Sequence, residues 1–324
     1  MPACQVFSSF SVNYRLNVTL KIIFFSCRRQ VLDLTNGVRI RYFSKKVFQD
    51  SCFRIHVLKP DPKIMIGKNE ILNELNTKIF GKNIFSFDTL NSTNTFAKSL
   101  SKEEVPHGTL IIAEEQTAGR GRLQRNWVSP AGKNLLFSII LYPDFGIEKI
   151  SLLPFAGSLA IADAIETITG LSSTCKWPND VLINGKKVCG MLLESSLGNS
   201  VQEKIILGIG LNVNQEEFSE ELKFKASSLQ IESGIVINRV TLLQKILEEL
   251  ENRYEQLSHF PAQQLLNDWR MKALLFGKKI TVLESEFSFT ATAIDVNEDG
   301  SLIIETEDGQ KRNIFSGDVS LAYN

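Results

Sequence analysis

The chain has 324 residues, 43% hydrophobic and 22% charged, with Lys+Arg and Asp+Glu balanced at 36 each. That is the make-up of a soluble globular protein with a sizeable core and room for two domains. The charge balance supplies no general attraction to nucleic acid or membrane. Cys4, Cys27, Cys52, Cys175 and Cys189 form no CxxC pair, which argues against a disulfide framework. Three histidines, His56, His107 and His259, leave little for a zinc site or a histidine-based triad. No stretch is read as the run of ~20 apolar residues that a membrane span needs. The nearest, residues 17–28, is short and has Lys21 in its middle.

In chain order, residues 1–48 stand apart. They carry Arg15, Lys21, Arg28, Arg29, Arg39, Arg41, Lys45 and Lys46 against Asp33 as the lone acid, and serine and phenylalanine are frequent. An acid-poor, arginine-containing, serine-rich leader has the composition of a mitochondrial transit peptide. "RYFS" at 41–44 resembles the arginine-anchored sites at which such peptides are cut. An extension ahead of a true start at Met65 fits equally. Residues 1–64 are therefore set aside as a leader, residues 65–275 form the main domain and 276–324 a second one. The expected location is the cytoplasm, or mitochondria if the leader is a genuine transit peptide.

"STNTFAKSL" (92–100) opens with capping residues and predicts a short helix. "GTLIIAEE" (108–115) and "NLLFSIILYP" (134–143) predict buried strands. Residues 149–170 carry apolar residues at helical spacing, with Pro154 in the first turns and Gly170 as the stop. Strands are predicted over 175–185 and 186–195, joined by the Asn184-Gly185 hairpin turn, and again over 204–214. Helices are predicted over 239–257 and 262–275. Beyond Gly277 short alternating strands with turn signals predict a small all-β barrel.

The loop between the first two buried strands is "TAGRGRLQRNW" (117–127). It lacks the third glycine of G-x-G-x-x-G, where Gln124 stands, and no G-K-[ST] follows. "GIGLN" (208–212) lacks the same glycine and lies inside a strand. The familiar phosphate loops are thus excluded. Gly119 and Gly121 would let backbone approach a ligand and take positive φ. Arg120 and Arg122 alternate with them and can face one concavity, each able to give a bidentate contact to an anionic oxygen. Trp127 offers a flat face for a base. A solvated basic turn beside a core tryptophan is the plainer alternative for this stretch alone. Lys176, Asn179 and Asp180 in "KWPND", with Lys187 on the next strand, bring more polar groups to one pocket, although Lys187 alone reads equally as a solvated edge charge.

Taken together, "STN" (92–94), "EEQTAGRGR" (114–122), "WVSPAGKNLLFS" (127–138), "KWPND" (176–180), "KKVCG" (186–190), "GIGLNVN" (208–214) and "SGDVSL" (316–321) resemble, in this order, the motifs of biotin protein ligases. The resemblance spans about residues 80–321. It implies an α+β fold: a central mixed β-sheet flanked by helices, of the class II synthetase-like kind, then an SH3-like C-terminal β-barrel. It also implies a ligase that forms biotinyl-5′-AMP from biotin and ATP and passes biotin to a lysine of a biotin carboxyl carrier domain. Mg²⁺ would ride on the ATP phosphates without protein ligands of its own.

By the same resemblance, Ser92, Thr93, Asn94 and Gln116 would grip biotin. Gly119, Arg120, Gly121 and Arg122 would close over the carboxylate and α-phosphate. Trp127, Lys176, Asn179 and Asn212 would serve the adenylate, and Gly210 the floor beneath the ligand. Lys187 would be catalytic and touch both substrates, and Asp180 would take the proton of the attacking amine. The chain departs from the family at Gln124, often glycine there, and shows no helix-turn-helix spacing before residue 80, so DNA binding is not expected. No membrane partner is expected, and a homodimer is left open. The rivals are a lipoate or octanoate ligase of similar fold, a sensor that binds biotinyl-AMP without using it, and a basic RNA-binding protein, which the balanced charge disfavours.

Overall fold

In this computed structural model the described residues are 65–123, 125–196, 204–284 and 287–321, together with the backbone of five short strands nearer the N-terminus. The chain divides into Met1–Lys63 and Ile64–Asn324. In the first unit β1 (Ser9–Tyr14) pairs with β2 (Val18–Ile23), and β3 (Val31–Leu34), β4 (Val38–Arg41) and β5 (His56–Val57) form a small sheet. The other residues of the leader, "RYFS" from Tyr42 on and Gln124 lie outside the described residues.

The second unit is built on a seven-stranded mixed sheet. Its strands are β6 (Ile84–Leu90), β7 (Thr109–Gln116), β8 (Leu135–Leu141), β9 (Thr174–Lys176), β10 (Asp180–Ile183), β11 (Lys186–Ser196) and β12 (Lys204–Leu211). Their spatial order is β6-β7-β8-β12-β11-β10-β9, with β6 and β7 parallel and every other pair antiparallel. The central strands are buried on both faces, which is why they read as continuous apolar runs. On one face Ile111, Ile140 and Ile206 pack beneath α2 (Thr93–Ser99) with Ala97 and Val105. On the other, the large core includes α3 (Leu153–Thr169), α5 (Arg239–His259) and α6 (Ala262–Lys272).

Local chemistry sets the helix ends. Ser92 caps α2 by accepting the Thr95 amide at 3.4 Å, and Asn238 caps α5. Pro154 sits in the first turn of α3 and Gly170 closes it at φ +71°. The helical run Ile147–Thr169, a 3₁₀ turn leading into α3, is long and apolar enough by composition to cross a membrane, with mean hydropathy 1.3. That corrects the earlier reading of the sequence; here the run is a core helix, with Leu159, Ile161 and Ile165 fully buried.

Three elements were not anticipated: α1 (Lys68–Asn73), the edge strand β6 and α4 (Leu229–Ser233). The strand predicted over 175–185 is in fact two antiparallel strands, β9 and β10, separated by a turn that holds the cis Trp177–Pro178 peptide. Proline has no N–H to give a sheet ladder, so the run breaks there. The Asn184-Gly185 turn is as predicted, both residues having positive φ.

The C-terminal module has strands β13 (Lys279–Glu284), β14 (Phe287–Val296), β15 (Leu302–Thr306), β16 (Lys311–Ile314) and β17 (Asp318–Leu321), antiparallel in the order β16-β15-β14-β13-β17. It shares the large core with the seven-stranded sheet. Trp177 Nε1 donates to the Gly300 carbonyl at 2.9 Å, and Arg270 pairs with Asp295 at 2.6 Å. These contacts hold the module against α6 and the β9–β10 turn.

His107, just before β7, packs against Phe80 and Tyr254 with ring centroids 5.6 and 4.9 Å away, and its Nδ1 accepts the Tyr142 amide at 2.9 Å. Burial pushes its pKa below the ordinary 6.5 despite the charge of Asp144. The folded state thus holds His107 neutral, while the unfolded chain takes up a proton as pH falls through 6.5. Its contribution to stability is complete above that value and declines below it, down to the folded pKa. Urea unfolding of wild type and His107→Asn at about pH 8 and about pH 5.5 should therefore show a stability gap that narrows in acid. A gap unchanged by pH would mean His107 does not titrate differently in the two states.

Candidate functional site

The sheet face under α2 changes character along the strands. Register places Ile206, Gly208 and Gly210 of β12 in one row, opposite Ile140, Ser138 and Leu136 of β8 and opposite Glu194, Leu192 and Gly190 of β11. Close to the C-terminal half of α2 the row is apolar and packed; farther along it becomes glycine. A Cβ on Gly208 would stand 2.2 Å from Asn94 Oδ1, and one on Gly210 2.5 Å from Trp127 Cε2. One on Gly190 would meet Lys187 Nζ at 2.7 Å. Real Cβ atoms do not approach so closely, so the glycines are what lets Asn94, Trp127 and Lys187 lie directly on backbone.

The wall beside this floor is the start of α2. Gln116 Oε1 accepts the Thr93 amide at 2.8 Å and the Thr93 hydroxyl at 3.2 Å. Ser138 Oγ lies 2.7 Å from Thr93 Oγ1 and 2.6 Å from Asn94 Oδ1. Asn94 Nδ2 donates to the Leu192 carbonyl at 3.3 Å and to Glu194 Oε2 at 2.8 Å. Thr93, Gln116 and Ser92 therefore line the cavity as a fixed hydrogen-bonding set, while the amide of Asn94 is fully engaged in holding α2 to the floor.

The arginine loop is a small hairpin: Arg120 bridges Asn126, Gly121 N–H donates to Arg125 O at 2.7 Å, and Trp127 N–H donates to Gly119 O at 2.9 Å. Contrary to the sequence reading, neither glycine has positive φ; that conformation falls on Leu123, at φ +52°. Gly119 is required by close approach instead, since a Cβ there would lie 2.5 Å from Trp127 O. The two arginines line one cavity but at opposite ends. Arg120 Nη2 donates to Thr95 Oγ1 at 3.1 Å and lies 3.5 Å from Glu194 Oε2. Arg122 turns toward Asp180 and Asp318, and burial nevertheless pushes its guanidinium below its ordinary pKa.

Around Arg122 the cations outnumber the anions. Lys187 Nζ lies 2.6 Å from Asp180 Oδ1 and 5.5 Å from the centre of the Trp127 ring. Lys176 Nζ is 3.9 Å from Asp180 Oδ2. Burial lowers the pKa of Lys176, and the Lys187 charge adds to that shift against the opposing pull of Asp180. Arg125 pairs with Asp318, which reaches in from β17. Arg122 Nη1 and Trp127 Nε1 are buried and have no hydrogen-bond partner among the described residues. Buried donors and part-compensated cations facing one cavity are what an anionic ligand needs. The cavity is about 750 Å³, the size of a cofactor site.

Asn179 and Asn212 also line it, their amides donating to Met191 O and, at 3.0 Å, to Ser227 O. Segment 215–226 passes Lys187: the Lys187 amide donates to Lys225 O at 2.8 Å and the Ser227 amide to Lys187 O at 3.0 Å. Sequence reasoning assigned no role to Ser138, Glu194, Arg125 or Asp318. The motifs "WVSPAGKNLLFS" and "SGDVSL" contain Ser138 and Asp318, and the period-2 rule applied to 190–194 would have put Glu194 on the ligand face. The pairing of Arg125 with β17 spans too much sequence for any local signal.

Two families match the chain: the Biotin/lipoate A/B protein ligase family over residues 86–212, and the Biotin protein ligase C terminal domain over 275–322. The bifunctional ligase/repressor BirA of Bacillus subtilis is 37% identical over 260 residues, 79% of this chain and 79% of that protein. The biotin–[acetyl-CoA-carboxylase] ligase of Mycobacterium tuberculosis is 32% identical over 70% of this chain and 85% of its own length. The biotin protein ligase of Aquifex aeolicus, solved in complex with biotin and ATP, superposes with a TM-score of 0.65 at 33% identity, over 75% of this chain and all of that one.

The glycine floor makes a direct prediction. Gly208→Ala should displace Asn94 from Ser138 and lower unfolding stability by about 1–3 kcal/mol, the usual cost of overpacking. Urea unfolding checks it; a change below about 0.5 kcal/mol would mean that Asn94 moves aside freely.

Proposed function

The chain belongs to the biotin protein ligases, and from that membership we propose how its residues divide the two steps of the reaction. The enzyme activates biotin with ATP as biotinyl-5′-AMP and then biotinylates a carrier-domain lysine. The observation that carries the residue assignment is the pair of part-buried, incompletely compensated cations Arg122 and Lys176, with the Lys187–Asp180 ion pair beside them.

In the first step a biotin carboxylate oxygen attacks the α-phosphorus and pyrophosphate departs. Two anions must meet, and fixed positive charge offsets their repulsion and the charge spreading over the phosphate oxygens. Arg122, Lys176 and Lys187 serve the phosphate end. Arg120, beside α2, serves the carboxylate end, with Thr93 and Gln116 gripping the polar ring of biotin and Gly210 beneath it. Trp127 provides the adenine-facing plane. Among the described residues no group of three His, Cys, Asp or Glu stands ready to hold a metal ion. Mg²⁺ carried on the ATP phosphates would add charge neutralisation there.

In the second step the target amine attacks the acyl carbonyl, the C–O bond to AMP breaks, and the amine loses a proton. Asp180 is the base. In the free enzyme it is paired with Lys187 at 2.6 Å. A phosphate drawing Lys187 away would leave Asp180 free to accept the proton, so the same ion pair serves both steps in turn. The partner is a carboxylase carrier domain that presents its lysine at the cavity mouth.

Full-length protein should catalyse ATP–pyrophosphate exchange with biotin and not with lipoate; exchange with lipoate alone would move it to the sister branch. Asp180→Asn should slow biotin transfer from preformed adenylate by about 10²–10⁴-fold while affecting exchange far less. Equal slowing of both steps would remove Asp180 from the role of base. Lys187→Met should instead depress exchange itself.

A further inference from the structure

Glu194 is a carboxylate held directly behind Asn94 and Arg120, which line a site that must bind a carboxylate, an arrangement that calls for a reason. It sits on the ligand face of β11, in the same row as Gly190 and Leu192, with its side chain only 17% exposed. Its Oε1 receives Lys98 Nζ at 2.6 Å; its Oε2 receives Asn94 Nδ2 at 2.8 Å and faces Arg120 Nη2 at 3.5 Å. Three elements thus converge on one side chain: α2 through Asn94 and Lys98, the arginine hairpin through Arg120, and β11 itself. Burial presses the Glu194 carboxyl toward its neutral form. The hydrogen bonds from Lys98 and Asn94 and the charges of Lys98 and Arg120 outweigh this and hold it below the ordinary carboxylate range.

We propose that Glu194 is a positioning residue for biotin, holding Arg120 and the start of α2 in the arrangement that receives the biotin carboxylate. The charge count supports this. Lys98 and Arg120 against Glu194 leave one net positive charge, so the group retains attraction for an incoming anion. A long arginine on a hairpin would otherwise lose much rotamer freedom at the moment of binding. Anchoring it beforehand moves that loss into folding and tightens the ligand. The Thr95 hydroxyl, 3.1 Å from the same nitrogen, supplies the second point that fixes the guanidinium. Lys204, which donates to the carbonyls of Ala97, Lys98 and Leu100 at the other end of α2, holds the helix from behind without touching this group.

This inference rests on the assignment of Arg120 to the carboxylate end, and the test separates the two. Full-length Glu194→Gln keeps an oxygen for Asn94 but removes the charge that holds Arg120. Its KM for biotin in pyrophosphate exchange should rise roughly tenfold, the loss of one charge-assisted contact, with kcat at saturating biotin and KM for ATP within about twofold. Arg120→Ala should raise the same KM. Adding Glu194→Gln to it should cost no more than about a further twofold, because the two act along one path. An unchanged biotin KM in Glu194→Gln, fully multiplicative effects in the double variant, or a parallel rise in ATP KM with a lowered melting temperature would each overturn the proposal. If Arg120→Ala itself leaves biotin KM unchanged, the assignment of Arg120 fails first. Should Glu194→Gln not fold, Glu194→Asp reads the same quantities, and failure of both to fold would make Glu194 a structural residue and refute the positioning role.

Discussion

Withdrawing a cation from water with only partial compensation costs a fold free energy, and this protein does it twice within one cavity. Arg122 and Lys176 are both driven down from their ordinary pKa by burial, and the carboxylates of Asp180 and Asp318 only partly offset the cost. The rest of the unit can be read as the framework that enforces this. A seven-stranded sheet with apolar packing on both faces holds β10 and β11 in place. The β9–β10 turn carries Lys176, and the locked C-terminal module brings Asp318 across from β17. Strain of this kind persists only where the surrounding structure over-determines it, and it is released when the missing anion arrives.

A second constraint is space. On an ordinary strand face the Cβ row would keep any ligand well away from the backbone. Here Gly190, Gly208 and Gly210 clear that row, and Asn94 and Trp127 come down onto the main chain. The close approach has two consequences. The α2 wall is pinned to the floor through Ser138, Asn94 and Glu194, so its hydrogen-bonding groups are preorganised. The arginine hairpin is held at its base by Gly119 and Trp127 and near its tip by the Arg125–Asp318 pair. A site anchored at both ends positions two arginines that lie two residues apart toward different groups of one cavity, one toward Thr95 and Glu194 and one toward Asp180 and Asp318.

The C-terminal strands are part of this machinery. The Trp177 bond to Gly300 and the Arg270–Asp295 pair fix the module's orientation, and Asp318 then supplies a negative charge to a cluster that would otherwise be still more cationic. Moving Asp318 would alter the field felt by Arg122 and Lys176 together. The coupling of module to site follows from charge and distance.

Much of the architecture follows from the sequence because it rests on local rules. Buried strands over 109–116 and 135–141, the capped helix at Ser92, the Gly170 stop and the Asn184-Gly185 hairpin need only periodicity, capping and backbone conformation. The candidate site residues could be gathered because their motifs are short, dense and similar to those of biotin protein ligases. What remained hidden depended on contacts between distant segments. The edge strand β6 lacks a two-sided apolar run. The break at Pro178 is a local signal that an apolar reading of 175–185 overlooks. Which arginine meets which charge, why Gly119 is glycine, and the meeting of Asp318 with Arg125 were decided only when strands far apart in the chain were laid side by side. Sequence determines which residues can bear charge, turn or pack; only the tertiary structure decides which of them share a cavity, because electrostatic and steric cost depend on distance in space and not along the chain.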